Sequence, residues 1–121
     1  MKFDVQIYVK ESDKAVPFYQ KAFDAELVAS YPNPDGTFQH AGLDIDGISL
    51  AISESWFAEV VKGNTMQFCL HFGEGKENVL QKAYEILQEG ADILYPLGPC
   101  GWSSLMFGLI DKFGVSWCIA I

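Results

Sequence analysis

One pattern occurs twice in this chain, and that repetition constrains its fold more than any other feature. Gly42-Leu43-Asp44-Ile45-Asp46-Gly47-Ile48-Ser49-Leu50-Ala51-Ile52 has its counterpart in the final stretch from Gly108-Leu109-Ile110-Asp111 through Gly114-Val115-Ser116-Trp117-Cys118-Ile119. Each copy opens on Gly-Leu, places an Asp before a turn Gly, and continues with an apolar residue, Ser and a second apolar residue. Gly42 and Gly108 are 66 residues apart, whereas Leu50 and Trp117 are 67 apart, so the second turn carries one extra residue. Each copy reads as a β-hairpin. A second match supports the first. Val5-Gln6-Ile7 aligns with Met66-Gln67-Phe68, and Tyr19-Gln20-Lys21-Ala22-Phe23 with Leu80-Gln81-Lys82-Ala83-Tyr84, both 61 residues on. The expectation is one module of about 60 residues written twice, with the first over 1–58 and the second over 64–121.

Within the first module, Lys2 to Lys10 alternates with period two. Phe3, Val5, Ile7 and Val9 take one face, and Asp4, Gln6 and Tyr8 the other. Ser12 then reads as an N-cap, and Ala15, Phe18, Tyr19, Ala22 and Phe23 follow helical spacing, with Pro17 expected to disturb the first turns. Ala25 to Tyr31 reads as a strand, Pro32-Asn33-Pro34-Asp35-Gly36 as a turn, and Thr37 to Asp44 with Ile48 to Ser53 as the hairpin. Ser53 to Asn64 joins the copies, and Trp56, Phe57, Val60 and Val61 suggest a short packed helix ended by Gly63-Asn64.

The second module opens on Thr65 to Phe72, with Met66, Phe68, Leu70 and Phe72 facing one way and Thr65, Gln67, Cys69 and His71 the other. Gly73-Glu74-Gly75 breaks that strand. Val79, Leu80, Ala83, Ile86 and Leu87 form the apolar stripe of a helix that stops at Gly90. Ala91 to Pro96 reads as a short strand and Leu97 to Gly101 as a loop, with Trp102 to Ile110 and Gly114 to Ile121 closing the module. The fold class is therefore α+β, two βαβββ modules combined in a single domain over 1–121.

Composition narrows the function classes. A chain of 121 residues that is 50% hydrophobic supports one core better than two. No apolar run reaches the roughly 20 residues of a bilayer span, so the expectation is a soluble, cytoplasmic protein without a membrane partner. A net charge of −8 argues against nucleic acid, whose phosphates call for basic clusters. Three cysteines, Cys69, Cys100 and Cys118, lack metal-type spacing and read as free, buried and inert.

This arrangement of modules resembles the glyoxalase/bleomycin-resistance/dioxygenase group, the vicinal-oxygen-chelate superfamily, over essentially the whole chain. Its PhnB-like branch is the nearest in wording, through Ala15-Val16-Pro17-Phe18-Tyr19 and Asp111-Lys112-Phe113-Gly114-Val115-Ser116-Trp117. The resemblance implies curled mixed sheets around a cleft, helices on the outside, and a homodimer. Applied to the strand parity, it places Asp4, Gln6, Tyr8, Gln67, Cys69, His71 and Cys118 on cleft-facing sides and Trp117 in the core. Trp102 and Trp56 are left between ligand wall and core or interface.

Metal-dependent members of the group place His and Glu ligands on the first strand of each module and four residues after the turn Gly. Here those last positions are Ala51 and Cys118, and the first strands offer Asp4 or Gln6 and Gln67. The resemblance thus implies no metal and no cofactor, and a metal-independent protein that holds a small-molecule ligand in the cleft, with net acidity favouring a cationic one. Two alternatives stand beside it. One is a metal-dependent glyoxalase-like lyase, isomerase or dioxygenase using Asp4, Gln67 and Cys118; the other is a structural or partner-binding module. His71 and Cys69, two residues apart on one strand face, do not by themselves make a catalytic pair.

Overall fold

A two-residue turn shapes the first unit. Asp46 and Gly47 have φ of 50° and 90°, the paired left-handed conformation that lets a tight hairpin follow the natural twist of its strands, and the Asp44 carboxylate accepts the Gly47 N–H. The turn joins β3 (Phe38–Ile45) to β4 (Ile48–Glu54). In the structure, a computed structural model describing residues 1–63 and 65–121, the chain divides into two compact units, Met1–Val60 and Val61–Ile121.

The first unit contains β1 (Val5–Val9), α1 (Ser12–Phe23), β2 (Glu26–Pro32), β3 and β4. Its sheet has the order β1-β4-β3-β2, with β1 parallel to β4 and the other pairs antiparallel. Ile7 pairs with Ile52, Ile52 with Ala41, and Leu50 with Leu43. All five are buried, as are Ala15, Val16, Phe18, Tyr19, Ala22 and Phe23 of α1, the helix that packs on β3 and β4. Pro17 lies inside that helix without ending it.

Ser12 does not act as the N-cap. That position is Glu11, in the left-handed region at φ 56°, and the helix start is held by Glu54, whose carboxylate accepts the Ser12 N–H at 2.9 Å and the Ser12 hydroxyl at 2.8 Å. The Ser12 oxygen in turn accepts the Phe38 N–H.

The second unit comprises β5 (Phe68–His71), α2 (Glu77–Leu87), β6 (Asp92–Cys100), β7 (Ser103–Ile110) and β8 (Ser116–Ala120), with sheet order β5-β8-β7-β6. Leu80, Ala83 and Leu87 are the buried stripe of α2. The β7–β8 turn has the extra residue that the repeat predicts, closed by Gly114 at φ 89°. Asp111 completes it. The carboxylate is fully buried and accepts the Phe113 N–H at 2.9 Å, the Val115 N–H at 3.1 Å and the Trp117 indole N–H at 2.9 Å. The Asp-x-Phe-Gly-Val-x-Trp wording is thus one hydrogen-bonded turn, with Trp117 in the core at 1% exposure.

Several expectations are corrected. The first strands of the two units are shorter than their alternation suggested, starting at Val5 and Phe68, and Phe3 and Met66 are exposed. β6 runs on through Pro96 to Cys100 by way of register shifts. Residues 55–63 contain no helix, and Trp56, Phe57, Val60 and Val61 are exposed. Four apolar residues at helical spacing do not nucleate a helix without a surface to bury them. Asn64, expected to end that segment, lies outside the described residues.

The repeat register also changes. Leu50 and Trp117 correspond, and they pair with Val5 and Phe68 respectively, so the first strands match at 63 residues, not 61. Gln6 then corresponds to Cys69, and Tyr8 to His71.

Candidate functional site

Strand parity decides what each sheet presents on the side away from its helix. In the first unit, Tyr8 pairs with Ser53 on β4 and Tyr31 with His40 on β3. Because Ala41 pairs with Ile52, the next step of the same ladder sets His40 beside Ser53. Tyr31, His40, Ser53 and Tyr8 therefore form one row across all four strands. With Gln39 and Trp56 they line an open pocket of about 380 Å³. The Tyr31 and His40 rings lie 5.9 Å apart, tilted by 49°, and Tyr8 and Trp56 are exposed. Gln6, one row along, donates from its amide to Ser53 Oγ at 3.1 Å and to the Ile7 carbonyl at 2.9 Å. It buttresses the serine that lines the pocket. Asp4 precedes β1 and forms an exposed ion pair with Lys2 at 3.6 Å.

In the second unit the matching rows carry different chemistry. His71 pairs with Ala120, and Ala120 with Met106; the His71 ring lies 5.8 Å from that of Trp102. Cys69 pairs with Cys118, which pairs with Gly108. His71 and Cys69 thus occupy successive rows, each with its own cross-strand partner. Gln67 precedes β5 and is exposed, its amide donating to Ser116 Oγ at 3.2 Å and to the Trp117 carbonyl at 3.3 Å. Met106, Cys118 and Ala120 form a buried cluster, with Cys100 of β6 packed against it.

The cysteines are not three equivalent inert thiols. Cys69 is exposed, Cys100 half-buried and Cys118 buried. Burial pushes the Cys118 thiol up to about 11, helped by the charge on Cys69, a hydrogen bond with its thiol, and the charge on Cys100.

The positions at which the resemblance places metal ligands carry few strong donors. Ala51 offers no donor, Cys118 is a buried thiol, and Gln6 donates through Nε2 to Ser53 and the Ile7 carbonyl, leaving its Oε1 as the one atom of that side chain able to meet a cation. Among the described residues, no group of three or more His, Cys, Asp and Glu is placed to hold a metal ion.

Sequence reasoning passes over Tyr31 as a site residue and reads His40, beside Gln39, as merely exposed; His40 is instead half-buried and lines the pocket. The signal that finds His40 is parity counted back from the Asp46-Gly47 turn, which puts it six residues before Asp46 on the face opposite Ala41, Leu43 and Ile45.

Two βαβββ units, each a mixed four-stranded sheet with a helix on one face and side chains available for contact on the other, define an α+β protein of repeated modules. The chain belongs to the Glyoxalase/Bleomycin resistance protein/Dioxygenase superfamily, whose family model matches residues 4–119. A PhnB protein from Bacillus cereus has the same fold at a TM-score of 0.82 and 23% identity, over 99% of this chain and 98% of that one. The fosfomycin resistance protein FosX of Listeria monocytogenes, in a structure with Mn(II) and 1S,2S-dihydroxypropylphosphonic acid, follows at a TM-score of 0.71 and 16% identity, over 99% of this chain and 88% of that one. An uncharacterized protein of Mycobacterium bovis is 26% identical over an alignment that covers 93% of this chain and 78% of its own length. No helix among the described residues is long and apolar enough to cross a membrane.

Proposed function

We propose that this protein binds a planar, cationic aromatic molecule without a metal, in the pocket that the first unit builds from Tyr8, Tyr31, His40, Ser53 and Trp56. The observation that carries this reading is the pocket itself. Its volume of about 380 Å³ falls within the ~300–1,000 Å³ usual for small-molecule sites, and a few polar groups among aromatic walls are their usual lining. Aromatic faces attract cations, and a net charge of −8 favours their approach. Ser53, braced by Gln6, and Gln39 supply the polar contacts that orient a ligand. Metal independence is supported by Ala51, which offers no donor four residues after the turn Gly.

The test is a titration monitored by tryptophan fluorescence with proflavine, a planar cation, and 2-naphthoate, a planar anion. The expected result is saturable quenching by proflavine, weaker binding of the naphthoate, and a loss of roughly tenfold or more in Trp56→Ala or Tyr8→Ala. Trp102→Phe, outside the pocket, serves as the control and keeps the affinity. Equal binding of both compounds, or unchanged affinity in Trp56→Ala, defeats the proposal. Stoichiometric metal found by plasma mass spectrometry on untagged protein defeats its metal-independent part.

A further inference from the structure

The second unit carries a thiol arrangement that the ligand pocket does not use. Residues directly paired on neighbouring strands lie about 4.8 Å apart, inside the roughly 4.4–6.8 Å Cα separation that a disulfide spans. Cys69 of β5 and Cys118 of β8 are such a pair, and paired residues project from the same face of a sheet. The two thiols are close enough for Cys69 to raise the Cys118 thiol above its ordinary value, after the larger effect of burial. Their exposure is unequal: an oxidant in solvent meets Cys69, while Cys118 is shielded among Met106 and Ala120. An accessible thiol beside a sheltered partner is the arrangement that turns a sulfenic acid into a disulfide before further oxidation.

We propose that Cys69 and Cys118 form a reversible two-electron redox site, closed to an intrachain disulfide by peroxides. The Cys69 sulfur, as thiolate, attacks one oxygen of hydrogen peroxide; the O–O bond breaks, the departing hydroxide takes a proton and leaves as water, and Cys69 becomes a sulfenic acid. Cys118 then attacks the Cys69 sulfur while giving up its proton. The S–S bond forms, the S–O bond breaks, and the hydroxide leaves with that proton as a second water. Two thiols lose two electrons and two protons, and the peroxide is reduced to two waters. Cys100 is the competitor for Cys118. It packs against the same cluster from β6, but its own backbone partner is Ser103, so it lacks the direct pairing that Cys69 has.

Trypsin separates the three cysteines, placing Cys69 on residues 63–76, Cys100 on 83–112 and Cys118 on 113–121. The experiment treats the full chain with a few equivalents of hydrogen peroxide, alkylates the remaining thiols under denaturing conditions, and maps the peptides by mass spectrometry. The expected result is a loss of about 2 Da, a link between 63–76 and 113–121, and one alkylated thiol where the untreated protein has three, all reversed by dithiothreitol. Cys100→Ser keeps the link, and Cys69→Ser, at an exposed position, abolishes it. A link through Cys100, a disulfide between two chains on a non-reducing gel, or oxidation of Cys69 by about 32 Da without a link overturns the proposal.

Discussion

Replacing Asp111 with Asn tests the account of the repeat's closing motif. The buried carboxylate serves three donors, with Oδ1 taking the Phe113 and Val115 N–H groups and Oδ2 the Trp117 indole at 2.9 Å. Asn keeps an oxygen for the two backbone donors but turns an NH₂ group toward the indole N–H, setting donor against donor. A buried polar group left unsatisfied costs about 1–3 kcal/mol, and two are left here, so Asp111→Asn is expected to lose about 2–6 kcal/mol. Asp111→Ala strands all three donors and loses more.

The discriminating variant is Trp117→Phe, which destabilises by its own lost volume but removes the opposing donor. In that background Asp111→Asn is expected to cost at least about 1 kcal/mol less than in the wild type. Urea unfolding followed by circular dichroism gives all four stabilities without relying on Trp117 as the probe. If Asp111→Asn costs the same in both backgrounds, or less than about 0.5 kcal/mol in the wild type, the indole bond does not hold this turn and the reasoning is wrong.

Three further outcomes are expected. Glu54→Ala removes the acceptor for the Ser12 N–H and hydroxyl at the start of α1 and lowers stability in urea by about 1–2 kcal/mol. Gly42→Ala places a methyl 3.3 Å from the Ala29 Cβ, an atom fixed to the backbone of β2, while Gly108→Ala meets the edge of the Tyr95 ring at 3.2 Å, which can turn away; thermal melts are expected to show the larger loss at Gly42, about 1–3 kcal/mol. The raised Cys118 thiol gives a pH dependence of definite sign. The unfolded chain ionises at the ordinary value of 9.0 and the folded one at about 11, so this contribution to stability is full below pH 9, declines above it and is gone past about 11, and melts from pH 8 to 11 are expected to fall more steeply for the wild type than for Cys118→Ala.

Local chemistry made much of the architecture readable in advance. Period-two alternation sorted Ile7 and Val9 from Gln6 and Tyr8 correctly, because a strand's side chains alternate whatever the strand pairs with. The turn grammar of Asp46-Gly47 and Asp111 to Gly114 located both hairpins, since left-handed backbone favours glycine and a side-chain acceptor nearby. Failures came where the outcome depended on partners. The helix expected from Trp56 to Val61 had the spacing but no face to pack on. The first-strand match of Val5-Gln6-Ile7 with Met66-Gln67-Phe68 was two residues out, because three side chains of similar type carry no information about which carbonyls they will meet on β4 and β8.

By itself, then, the sequence determined the repeat, the α+β class, the strand faces and the two hairpin turns, all set within about ten residues by backbone preference and alternation. The tertiary structure alone decided which side chains stand together. Tyr8 meets Ser53, and Cys69 meets Cys118, through parallel pairings between strands separated by an entire helix and two further strands. Such register is fixed by hydrogen-bond ladders and by burial of the helix-facing side, neither of which is expressed in the residues that end up as neighbours. The pocket row from Tyr31 to Tyr8 and the thiol pair in the second unit are both products of that long-range register.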